Sequence, residues 1–185
     1  MTCLPLEAIV DRKRLDIKLT TTEYLSVGSR NMMVIDPELE RFAERCIRAV
    51  GLGPTFRLVV MHGNYFDSAC YTTRILEPLA RKLGFACKVV DLSQLASEHL
   101  GVYEIDGIED LLRECGDEQR PLLIIRNTEH LLDQHLTTFH TKLRGLLDCF
   151  DTTAVIFFSS KKQSIDILFK DSSMPLYCSA AITNI

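Results

Sequence analysis

Residues 56–84 read FRLVVMHGNYFDSACYTTRILEPLARKLG. The first seven residues, FRLVVMH, are apolar nearly throughout, without the alternation of a half-exposed strand. Such a run fits a strand buried on both faces, as in a parallel sheet covered by helices. The chain then passes through one glycine, Gly63, into a segment from about 67 to 83 with helical spacing that stops at Gly84. Pro78 falls inside that helix, where it removes a hydrogen bond and should cause a kink.

The same alternation continues on both sides. Upstream, Asp36-Pro37-Glu38 supplies an N-cap aspartate, a proline at the first helical position and acid in the first turn. Leu39, Phe42, Ala43, Cys46, Ile47 and Val50 then recur at helical spacing, closed by Gly51 and Gly53. Downstream come a strand at ACKVVDL (86–92), a helix at GIEDLLREC (107–115) and a strand at PLLIIR (121–126). A helix over 134–150 follows, with Leu136, Phe139, Leu143, Leu146 and Leu147 on one side. The last elements are a strand at TAVIFFSS (153–160), a short helix at KQSIDILFK (162–170) and a strand at PLYCSAAI (175–182). Five strands joined by helices imply an α/β fold: three layers, a mostly parallel five-stranded sheet and helices on both faces. Ligands on such sheets bind beyond the carboxyl ends of the strands, so the loops after 62, 92, 126 and 160 should line any site.

The bulk properties suit one such domain over residues 36–185, led in by an arm over 1–35. That arm holds the basic cluster Arg12-Lys13-Arg14, the run Thr20 to Thr22 and a short strand-like stretch, MMVI, at 32–35. The 185 residues are 46% apolar and 25% charged, with a net charge of −4. That balance argues against an extensive nucleic-acid surface and leaves room only for a small basic patch at Lys161-Lys162 or Arg12-Lys13-Arg14. No stretch approaches the roughly 18 apolar residues of a membrane span. The basic residues near the N-terminus follow the apolar ones, the reverse of a secretory signal. Seven cysteines, with no C-x-x-C pair, argue against a disulfide framework or structural zinc. Reduced thiols in a cytoplasmic protein are expected.

The turn after the first strand has the frame of a phosphate loop, G-x-x-x-x-G-K-[ST], in which backbone amides curl round phosphate and the lysine reaches the outer phosphates. Laid on residues 63–70, only Gly63 matches. Ser68 stands for the second glycine, Ala69 for the lysine and Cys70 for the Ser/Thr. Asp67 puts negative charge where phosphate would sit. The third strand then adds LLIIRNTEHLLD (122–133). This stretch resembles the Walker B segment of the P-loop ATPases, particularly the signal-transducing (STAND-type) NTPases related to AAA+ proteins. There a hydrophobic strand ends in aspartate and commonly continues Asp-Asn-x-Glu-His-Leu-Leu. In this chain the corresponding run is Arg126-Asn127-Thr128-Glu129-His130-Leu131-Leu132. The aspartate that would help hold magnesium is replaced by Arg126, and a guanidinium cannot ligate a cation. Ser159-Ser160 falls where that family carries a polar sensor residue.

The resemblance covers roughly residues 36–185. It implies a degenerate P-loop NTPase core with Gly63, Ser68, Ala69, Cys70, Arg126, Asn127, Glu129 and Ser159 at the nucleotide-facing positions, and no C-terminal lid after the fifth strand. The function it implies is that of a non-catalytic subunit or adaptor, a pseudo-ATPase that assembles with itself or with an active ATPase, without metal or cofactor. One alternative is a regulatory protein that binds ATP or GTP without magnesium through an atypical loop, using Arg126 or Lys161. Another is a hydrolase with Cys70 as nucleophile and His62 as base. An unrelated doubly wound fold also fits the order of elements. His130, His135 and His140 turn through about 140° between successive members on a helix, so no shared metal-binding face is expected. Glu129 has no reaction to serve without lysine or magnesium, and a local pairing, for example with Arg126, is expected.

Overall fold

The computed structural model describes residues 36–51, 57–115 and 119–185. The arm over 1–35 with its MMVI stretch, together with Gly53 and Phe56, lies outside the described residues. Helix α1 (Pro37–Gly51) starts where the proline and first-turn acids place it, and Asp36 Oδ1 accepts the Glu38 amide at 2.8 Å. Strand β1 (Arg57–Met61) leads through the Gly63 loop into a helical run of three parts. These are α2 (Ser68–Tyr71), a π-helical turn at Thr72–Leu76 and α3 (Glu77–Lys82). The expected kink at Pro78 is replaced by this wide turn, in which the Glu77 amide donates to the Thr72 carbonyl. The extra residue in the turn takes up the crowding that the proline ring would otherwise bring to the preceding turn.

Strand β2 (Phe85–Asp91), helix α4 (Glu98–Glu114) and strand β3 (Arg120–Arg126) follow. Helix α4 begins nine residues before the sequence places it. Gly101 and Gly107 are unfavourable residues inside a helix, yet each is closely packed. A Cβ at Gly101 would lie 3.3 Å from Leu136 Cδ2, and one at Gly107 would lie 3.0 Å from Lys88 Nζ, whose ammonium pairs with Glu104 at 2.9 Å. After β3, two 3₁₀ turns at Thr128–Leu132 and Gln134–Leu136 lead into α5 (Thr137–Cys149), so the helix expected from 134 starts three residues later. Strand β4 (Ala154–Ser159) and helix α6 (Lys162–Lys170) match their sequence positions. The last strand is shorter and later than the sequence suggests: β5 is Ala181–Asn184, and the stretch before it turns around the buried Leu176.

The sheet order is β2-β3-β4-β1-β5 and all four pairings are parallel. Each strand therefore needs a crossover, and the crossovers supply the two helical layers. One apolar cluster joins α4, α5 and α6 to the sheet through residues such as Ile108, Phe139, Leu143, Phe157 and Leu168. The other joins α1 and the α2–α3 run to the opposite face through Phe42, Ile47, Leu76, Ile124 and Phe158. The six described cysteines are free thiols. Burial pushes the Cys46 thiol up to about 12 and the Cys87 thiol up to about 11, so both are protonated packing groups. None of the helices in the described residues is long and apolar enough to cross a membrane.

Candidate functional site

Parallel pairing brings the carboxyl ends of β2, β3, β4 and β1 side by side. Asp91 is in register with Arg126, and Met61 with Ser159. The His62 amide donates to the Ser159 carbonyl at 3.1 Å and carries the pairing one step beyond β1. Three polar groupings stand along this rim.

The first centres on Asp91. Arg126 Nη2 donates to Asp91 Oδ2 at 2.6 Å, and Asn127 Nδ2 donates to Asp91 Oδ1 at 2.7 Å. Ser93 adds its amide at 3.1 Å and its hydroxyl at 2.7 Å to the same Oδ1. Burial by itself would raise the Asp91 carboxyl; the donors from Ser93 and Asn127 and the Arg126 charge outweigh it and hold the group below the usual aspartate range. The pair is largely sequestered, with the side chains of Arg126 and Asp91 exposed by 14% and 17%. Asn127 makes its contact from a left-handed backbone conformation, φ 54°, which asparagine tolerates better than most residues.

The second grouping joins β3 to β4. Ser159 Oγ donates to Glu129 Oε2 at 2.7 Å and accepts the Lys161 amide at 3.1 Å, while Ser160 Oγ lies 3.4 Å from Glu129 Oε1. Thr128, fully buried, donates to the Phe158 carbonyl at 2.9 Å. The expected Glu129–Arg126 pairing is therefore not formed. Register gives Arg126 to Asp91 across β2–β3, and the 3₁₀ turn swings Glu129 toward β4.

The third is the loop after β1. Asp67 is the N-cap of α2, and its Oδ1 accepts the Cys70 amide at 2.8 Å. A carboxylate of the chain itself thus takes the helix-end amide that a phosphate oxygen would need. A Cβ at Gly63 would meet nothing within 4 Å, so this glycine is not kept for a close approach. Ser68 is buried and Cys70 half-buried. His62 Nδ1 donates to the Gly63 carbonyl at 3.0 Å, and its ring packs on Phe66 with centroids 5.2 Å apart. His62 Nε2 and Arg126 Nε are both buried without a hydrogen-bond partner among the described residues.

Of the sequence candidates, Arg126 and Asn127 meet in the first grouping, Glu129 and Ser159 in the second, and Gly63, Ser68, Ala69 and Cys70 lie along the loop. Sequence reasoning missed Asp91, Ser93 and Thr128. The available signal was Asp91 itself, a carboxylate ending an apolar strand two residues before a serine, the pattern of an Asx turn. At the position that the resemblance assigns to a magnesium-binding aspartate stands Arg126, paired with Asp91, and no group of three or more His, Cys, Asp or Glu among the described residues is placed to hold a metal ion.

Neither a protein-family model nor a curated protein matches the sequence. Solved structures do match. The Walker-type ATPase of Pyrococcus abyssi aligns with TM-score 0.55 at 13% identity, over 87% of this chain and 57% of its own. AMPPCP-bound DnaA from Aquifex aeolicus aligns with TM-score 0.52 at 12% identity, over 82% and 48%. A DNA replication initiation factor aligns with TM-score 0.54 at 14% identity, over 83% and 48%. The chain spans about half the length of these proteins. Shared architecture at such low identity is a statement about fold, and on that ground the chain has the P-loop NTPase-like core fold of AAA+-type ATPases.

Proposed function

We propose that the chain is a non-catalytic, cytoplasmic assembly module that uses an ATPase-like core to dock on protein, either a second copy or an active ATPase. The observation that carries this reading is the Asp91–Arg126–Asn127 network. At the strand end where the resembling family holds magnesium, this chain places a cation and pairs it with its own Asp91. The Asp67 cap on the Cys70 amide supports the same reading from the other side of the rim. A site whose charges are already paired has no driving force to recruit the metal on which phosphoryl transfer depends.

The test combines ATP turnover with thermal melts in Mg-ATP, Mg-GTP and metal-free ATP. The reading expects no turnover and no shift. A ligand at about 100 times its Kd adds roughly 2.7 kcal/mol, a shift of several degrees for a chain of this size. Turnover that Glu129→Ala abolishes would overturn the reading. A second reading, nucleotide bound without magnesium, is favoured by one observation: Arg126 Nε is a buried donor with no partner among the described residues. A shift in metal-free ATP that Arg126→Met removes would select it.

A further inference from the structure

We draw no further inference here: the strongest candidate, the two buried donors without a hydrogen-bond partner among the described residues, His62 Nε2 and Arg126 Nε on the rim at the carboxyl ends of β1 and β3, belongs to the site already described and supports only the nucleotide reading drawn from it.

Discussion

Asp91→Asn removes the charge that Arg126 faces while keeping the shape of the side chain, and it makes the rim network measurable. Leaving one member of a buried ion pair without its partner costs about 3 to 5 kcal/mol. The two side chains here are exposed by 14% and 17%, so solvent recovers part of that, and we expect about 2 to 3 kcal/mol. For a chain of this length the melting temperature falls by about 5 to 10 °C. Arg126→Met should cost less, about 1 to 2 kcal/mol, because Asp91 keeps its donors from Ser93 and Asn127. The double variant should lie close to Asp91→Asn, giving a coupling of about 1 to 2 kcal/mol in a double-mutant cycle read by urea unfolding. The pH dependence has a definite sign. The folded-state Asp91 carboxyl lies below its unfolded value, so the stabilisation is present above the ordinary aspartate range and is lost as pH falls through the lower, folded value. The acid limb should flatten in Asp91→Asn. Single costs that simply add, with coupling under about 0.3 kcal/mol, would refute the argument that these charges satisfy each other.

Burial pushes His140 down to about 4, against a hydrogen bond with Leu131 that favours the charged ring. The unfolded chain takes up the proton first as pH falls, so about 3 kcal/mol of stability should be lost between the unfolded value near 6.5 and about 4, and His140→Gln should reduce that slope in urea unfolding at several pH values. Ser159→Ala deprives Glu129 Oε2 of its donor and the Lys161 amide of its acceptor, and should lower stability by about 1 to 3 kcal/mol in the same assay. Asp67→Ala should cost about 1 kcal/mol through the lost cap on the Cys70 amide. It should bring no ATP-induced rise in melting temperature, because Ala69 still stands at the lysine position.

The elements most legible in the sequence are those whose burial is continuous. RLVVM, PLLIIR and AVIFFS are inner strands that touch a helical layer on each face, and their apolar runs report this directly. Helix α1 was equally readable from its proline and first-turn acids. The beginning of α4 was not, because Gly101 and Gly107 serve contacts with Phe139 and Lys88 that lie far away in sequence. The exact extent of β5 was hidden because its neighbour on the sheet is β1, more than a hundred residues earlier. The same limit applies at the rim. Arg126, Asn127, Glu129 and Ser159 could be singled out by position along the chain, but the partner of Arg126 is fixed by the β2–β3 register, which local patterning does not encode. Glu129 was assigned the wrong partner for that reason.

The position of β1 between β4 and β5 also bears on how the chain reaches this fold during synthesis. Leu58 pairs with Ile156 on one side and with Ala181 on the other, about 100 and 120 residues later. At a translation speed of roughly 5 to 20 residues per second, RLVVM leaves the ribosome some 5 to 20 s before either neighbour exists. Meanwhile β2, β3 and β4 appear one after another, each beside the strand before it. The nascent chain therefore carries an unpaired apolar strand while about 100 further residues are added, a ready template for wrong pairing with another chain. Strand β5, Ala181–Asn184, closes the edge of β1, so nascent chains stalled before about residue 181 should draw chaperones more strongly than chains extended past that strand.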